Sequence, residues 1–157
     1  MERIEGDFRT PDGRIAILAS RFNDLVVDRL IAGARDALVR HGVDDDELTL
    51  VRVPGAFELP LTAEKLAASG RYAAIVALGC VVRGETAHFE QVAGGASNGL
   101  LQVSLDHGIP VGFGVLTTNT LEQALDRAGG KAGNKGAEAA LAVIEQLNLL
   151  QLLEPQL

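Results

Sequence analysis

A chain of 157 residues is one domain's worth, long enough for a single sizeable core. Apolar residues reach 47%, but no run is long and charge-free enough to span a bilayer, and a net charge of −7 argues against nucleic acid, which needs a basic footprint. The one cysteine, Cys80, excludes an internal disulfide and an all-cysteine metal site. With no basic-then-apolar leader at the start, a cytoplasmic protein is expected.

Residues 1–8 alternate, with Ile4 and Phe8 on one side and Arg3, Glu5 and Asp7 on the other, which predicts a short half-buried strand. Thr10-Pro11-Asp12-Gly13 reads as a turn. Residues 15–19 form a continuous apolar strand, and Asn23 or Asp24 in the loop after it is expected to cap a helix. Val27, Leu30, Ile31, Ala34 and Leu38 mark that helix's inner face, with Asp28, Arg35 and Asp36 outward, as far as His41-Gly42. Asp44-Asp45-Asp46-Glu47 lacks the alternating spacing of a calcium loop and reads as a solvated connection.

A strand over 48–53 is cut by Pro54-Gly55, Ala56-Phe57-Glu58 follows as a loop, and 59–69 reads as a helix stopped by Gly70. The apolar run 75–82 predicts another strand, and 89–107 a long helix rich in small residues. Glycine inside a helix costs about 1 kcal/mol against alanine, so Gly94, Gly95 and Gly99 predict close packing with another element or another subunit. Residues 111–116 form a further strand, 120–128 a short helix and 129–134 a tight Gly-rich link. Ala137, Ala140, Leu141, Ile144 and Leu147 face a last helix inward. Strand and helix alternate four times after the first strand. That pattern predicts a three-layer α/β/α sandwich with a doubly wound, mainly parallel sheet of flavodoxin-like architecture. With no repeat or linker, residues 1–157 read as one domain.

The junction of the 75–82 strand with the helix after it, Arg83-Gly84-Glu85-Thr86-Ala87-His88, falls where open α/β sheets bind ligands and where unpaired helix N–H groups favour an anion. His41 and His107 each precede a glycine at a helix C-terminus and have a structural explanation there. His88 stands at the opposite pole, where the helix dipole favours a neutral ring suited to proton transfer. The alternative is a surface histidine in a first helical turn, and the sequence leaves both open.

Two motifs mislead. Gly95-Ala96-Ser97-Asn98-Gly99 spells the G-x-S-x-G of serine hydrolases, but that elbow works only as a turn between strand and helix, and here it falls inside a helical pattern. The link 129–136 carries Lys131 and Lys135 but follows a helix and does not match a P-loop. Phe22, Ala56-Phe57-Glu58, the 83–88 turn and Phe113 fit something more specific. An aromatic platform, a carboxylate for hydroxyls, an anion-binding turn and a neutral His suit a flat polyhydroxylated substrate together with a phosphate ester.

Through RFN (21–23), PGAFELP (54–60), GCVVRGETAHFE (79–90), FGVLTTNTLEQALDRAG (113–129) and KAGNKGAEAA (131–140), the chain resembles the 6,7-dimethyl-8-ribityllumazine synthase family of riboflavin biosynthesis. The stretches run in order over nearly the whole chain. Gln91 stands where an aromatic or other variable residue is expected, with no consequence for the chemistry. The resemblance implies condensation of 5-amino-6-(D-ribitylamino)uracil with 3,4-dihydroxy-2-butanone 4-phosphate. Phe22 would stack on the pyrimidine, Ala56, Phe57 and Glu58 would line its site, and Glu58 would bind ribityl hydroxyls. Backbone groups of Cys80, Val81 and Val82 would read the uracil edge. Glu85, Thr86 and Arg127 would hold the phosphate, and His88 would shuttle protons. Phe113, Arg127 and Lys135 would come from a neighbouring subunit.

The resemblance also implies no metal and no cofactor, and a homo-oligomer with sites between adjacent subunits. Its further implications are pentamers, closure into an icosahedral shell through the compact link at 130–134, and residues 1–9 as a strand on a neighbour's sheet. Riboflavin synthase is a candidate partner. Two other readings compete with a synthase: a shell or flavin-binding protein without catalysis, and a serine hydrolase using Ser97.

Overall fold

The computed structural model describes residues 1–154; positions 155–157 of the expected single domain lie outside the described residues. The apolar runs form four strands, β1 (Ile15–Ser20), β2 (Leu48–Val53), β3 (Ala74–Val82) and β4 (Val111–Thr118). They pair entirely in parallel in the order β2-β1-β3-β4. A parallel sheet is covered on both faces, which is why its central strands read as unbroken apolar runs. In β3, Ala74, Val76, Leu78 and Cys80 enter one core, and Ile75 and Ala77 the other.

The first core is closed by α1 (Asp24–Arg40) and α5 (Lys135–Leu153), the second by α2 (Leu59–Ala68) and α3 (His88–His107). The result is the three-layer, doubly wound α/β/α arrangement. Val27, Leu30, Ala34 and Leu38 are buried as their spacing predicts. Gly42 and Gly108 both take positive φ after α1 and α3. The His41 ring meets the Ala37 carbonyl oxygen at 2.7 Å, and that of His107 meets Glu64 at 2.8 Å.

The structure departs from the sequence reading in several places. Among the described residues, 1–8 pair with no strand of their own chain, and Ile4 and Phe8 stay 37% and 49% exposed. Instead the buried Asn148 on α5 donates from Nδ2 to the carbonyl oxygens of Asp7 (2.8 Å) and Arg9 (2.9 Å), and Thr10 donates to the His41 carbonyl oxygen at 2.8 Å. The 7–10 segment is thereby fastened at the amino ends of the strands. The acidic run turns through a short 3-10 helix at Asp45–Glu47, with Asp44 accepting from the Asp46 amide and Arg35 paired to Asp45 at 2.6 Å.

The last two elements are also built differently. The link after α4 (Leu121–Asp126) is an antiparallel hairpin of β5 (Ala128–Gly130) and β6 (Gly133–Asn134). On α5 the fully inward positions include Ala139 and Val143 as well as Ala140 and Ile144, while Ala137, Leu141 and Leu147 are half-buried. Of the three α3 glycines expected to pack closely, Gly95 lies against Phe57 and Gly99 against Pro60, whereas Gly94 faces open space.

Candidate active site

The loops leaving β1, β2 and β3 meet at the carboxyl ends of the strands and enclose a cleft of about 690 Å³. The β1 loop is zipped to the β2 loop: the Arg21 amide donates to the Val53 carbonyl oxygen at 2.8 Å and the Phe22 amide to that of Pro54 at 2.9 Å. These bonds extend the β1–β2 ladder beyond the sheet and carry Phe22 to the cleft wall. Asn23 caps no helix with its side chain. It sits in the left-handed region at φ 62° and donates from Nδ2 to the Cys80 carbonyl oxygen at 2.9 Å. Left-handed backbone is costly for a residue with a Cβ, and Asn tolerates it best. The bond across to β3 fixes the turn.

Opposite, a 3-10 turn over Ala56–Glu58 delivers Phe57 and Glu58 before α2, which begins at once with Pro60 in its first turn. Phe22 and Phe57 are 71% and 62% exposed, and both line the cleft. Two aromatic rings left in solvent at the mouth of one hollow form a surface that water solvates poorly and a flat ring covers well.

The third wall is the 83–88 turn. Arg83 pins it: Nε donates to Asn119 Oδ1 and Nη1 to Glu90 Oε1, both at 3.0 Å, and the guanidinium lies over the Phe89 ring at 4.7 Å. The arginine is thus engaged in holding the turn. The helix N-cap, Ala87, has no side-chain capping bond, and the first helical amide, that of His88, donates to Thr86 Oγ1 at 3.4 Å. An α3 start this poorly capped offers N–H groups and the positive end of a 20-residue helix dipole to an anion.

Most residues expected at the site therefore meet: Phe22, Ala56, Phe57, Glu58, Cys80, Val81, Val82, Thr86 and His88 all line the cleft. The His88 ring and the Glu58 carboxylate have no hydrogen-bond or ion-pair partner among the described residues, so both are available to a ligand. The Cys80 side chain belongs to the α1–α5 core, and burial pushes its thiol up to about 11. Only its backbone can serve a ligand, and it is no nucleophile at neutral pH. Glu85 lies in the turn but not on the cleft wall. A carboxylate repels a phosphate, so an anion can use only its amide.

Phe113, Arg127 and Lys135 do not reach this cleft. Phe113 is in the exposed edge strand β4, opposite Ala77 and 40% exposed. Arg127 ends α4, where Nη1 donates to the Gln123 carbonyl oxygen at 3.1 Å, and its own carbonyl oxygen accepts from the Lys135 amide at 2.8 Å. Sequence reasoning missed Asn23, Phe89, Gln91 and Val92 as cleft-lining residues. For Gln91 and Val92 the signal was there, since they follow His88 by one helical turn and share its face.

Ser97 sits in the middle of α3 and donates to the Gly94 carbonyl oxygen at 3.2 Å, so no nucleophile elbow exists. A second hollow of about 400 Å³, between the end of α3, the start of β4 and α5, has no titratable side chain in its lining. Among the described residues no group of His, Cys, Asp and Glu could hold a metal ion, and no helix is long and apolar enough to cross a membrane.

The family model described as 6,7-dimethyl-8-ribityllumazine synthase matches residues 12–151. A relative of that name from Nitratidesulfovibrio vulgaris is 56% identical over 153 residues, covering 98% of each chain.

Proposed function

The chain belongs to the 6,7-dimethyl-8-ribityllumazine synthase family, and from that premise we propose that the aromatic-walled cleft is where its two substrates meet. The reaction is the condensation of 5-amino-6-(D-ribitylamino)uracil with 3,4-dihydroxy-2-butanone 4-phosphate to 6,7-dimethyl-8-ribityllumazine, a step of riboflavin biosynthesis. The amine condenses with the ketone to an imine, releasing water. Phosphate is then eliminated, and the ring closes with loss of a second water. Both reactants are intrinsically reactive, so holding them together supplies much of the rate.

The observation that carries the assignment of roles is one cleft walled by two solvent-facing aromatics, an unpartnered carboxylate, an unpartnered histidine and an uncapped helix start. Phe22 and Phe57 hold the pyrimidine, Glu58 the ribityl hydroxyls, and the backbone of Cys80, Val81 and Val82 the uracil edge. The amides of Glu85 and Thr86 at the start of α3 hold the phosphate. His88, on the first turn of the same helix, moves protons between the reacting centres, a role worth about 10²–10⁴-fold.

Arg127, Phe113 and Lys135 complete the site from an adjacent subunit. Their positions on the edge strand and on either side of the hairpin, away from their own cleft, support that reading. It extends to pentamers, with residues 1–5 beyond the fastened 7–10 segment reaching a neighbour's sheet, and to an icosahedral shell allowed by the compact β5–β6 hairpin. A cytoplasmic setting fits the lone unpaired cysteine. Riboflavin synthase, which consumes such a product, is the partner implied.

The test is direct. The protein is mixed with both substrates while lumazine fluorescence and phosphate release are followed, and the active fraction is sized by sedimentation. Equal amounts of product and phosphate from a species of several 16.5 kDa chains is the expected result. An active monomer would remove the shared site, and phosphate release without lumazine would remove the synthase reading.

A further inference from the structure

The G-x-S-x-G stretch has no nucleophile's role, yet its two glycines face the segment that delivers Phe57. A Cβ at Gly95 would stand 2.9 Å from Phe57 Cε2 and 3.1 Å from Cδ2, and one at Gly99 would stand 2.6 Å from both Cβ and Cγ of Pro60. Gly95 and Gly99 are one turn apart on the same face of α3, and Phe57 and Pro60 are one turn apart across the start of α2. The glycines form a notch into which those two side chains fit. One edge of the Phe57 ring rests in the notch, while the residue as a whole remains 62% exposed and lines the cleft. Nothing else in the surroundings of Gly95 approaches within 4 Å. The side chain missing there therefore bears on the position of that ring alone.

We propose that Gly95 is a positioning residue for the ribitylaminouracil site, acting by giving the Phe57 ring room to lie flat along α3 and so setting the width of the cleft between Phe57 and Phe22. The inference rests on the placement of the pyrimidine at these aromatics. A methyl at Gly95 must displace the ring, because helix backbone holds the new carbon in place while an exposed ring can swing. A ring pushed off α3 moves into the cleft it lines, where the pyrimidine is placed. The phosphate end, at the 84–86 turn, is untouched. Elsewhere in a helix interior alanine is the better helix former, so a purely structural glycine would make Gly95→Ala neutral or stabilising with no effect on substrate binding.

The experiment is a double-mutant cycle on the full-length protein, comparing wild type, Gly95→Ala, Phe57→Leu and the double variant. Each is assayed for KM of both substrates, kcat and thermal midpoint. Gly95→Ala is expected to raise KM for the ribitylaminouracil by roughly 3–10-fold and leave KM for the butanone phosphate unchanged. In the Phe57→Leu background the same change should move KM by less than about twofold, since the smaller side chain leaves space for the methyl. Failure of Gly95→Ala to fold, relieved in the double variant, would carry the same steric coupling. An unchanged KM in Gly95→Ala, an equal effect in both backgrounds, or misfolding in both would overturn it. A wild type that makes no lumazine would instead overturn the functional reading beneath it.

Discussion

Two flanks of the same sheet end contrast sharply. On one side, the loops after β1, β2 and β3 converge, and their residues need nothing beyond the chain to form a walled cleft. On the other, Phe113 on β4 and Arg127 at the end of α4 are exposed, Lys135 at the start of α5 is half-buried, and none of the three lines the cleft. β1 and β3 are paired on both edges, and the loop after the edge strand β2 is tied back to the β1 loop through Val53 and Pro54, so the three loops are drawn together. β4 is the other edge strand, and α4 and the hairpin beyond it are not tied back to the β1 and β2 loops in this way.

Mixing variants tests this contrast with the largest expected effect. A chain carrying Phe22→Ala and Glu58→Ala should be nearly inactive alone, as should one carrying Arg127→Ala and Lys135→Ala. Co-refolded in equal amounts in a ring with sites between neighbours, about one site in four regains all its groups. Recovery of no activity on mixing would place both flanks in a single chain's site.

His88 sharpens the inner flank. His88→Ala should fold normally, because the side chain is exposed at a cleft wall, and should slow turnover by ~10²-fold without abolishing it. A variant with an unchanged rate across pH 6–8 would take His88 out of proton transfer.

Arg127 sharpens the outer one. Losing a charge-assisted bond to phosphate should raise KM for the phosphate substrate by roughly tenfold while sparing the uracil. If the arginine does no more than close α4 through Gln123, both KM values will move together.

The smallest effect concerns Cys80, the wall residue whose side chain turns inward. Its pKa of about 11 lies above that of an unfolded cysteine, so its native thiolate is roughly a hundredfold scarcer at pH 8. The folded state holds this proton more tightly than the unfolded one, so the associated stability is complete below about pH 8.5 and drains away as pH rises toward 11. Alkylation of native protein at pH 8 should be negligible and should appear on denaturation. Rapid native labelling would mean that the core over Cys80 opens readily.

The inner flank was legible in the sequence because it is written locally. Continuous apolar runs gave the strands, period 3.6 gave α1, and residues just past a strand end had to sit at the rim. Long-range choices were not legible. Asn23 looked like a cap because its rival partner, the Cys80 carbonyl, lies 57 residues away. Alternation over residues 1–8 marks an apolar side but does not say which sheet such a segment would join. The β5–β6 hairpin is hidden in residues of low strand propensity, Gly129, Gly130 and Gly133. Asn148 reads as one polar position on an amphipathic helix until the N-terminal segment is laid across it. The specific substrate roles came from family resemblance; composition and spacing reached only a flat polyhydroxylated ligand and a phosphate ester.

That contact between Asn148 and the N-terminal segment orders events in time. The bond from Asn148 to Asp7 spans 141 residues, nearly the full chain. The entropy of closing a loop grows with its length, and contacts of this separation are not rewarded until the intervening fold exists. The amino-terminal segment should therefore be the last piece to settle. In pulse-labelled refolding its amides should gain protection after those of β3, and protection appearing first would refute the sequence of events. With late docking, the amino-terminal segment comes to its final bearing only on a finished fold, and chains caught part-way through folding carry it loose.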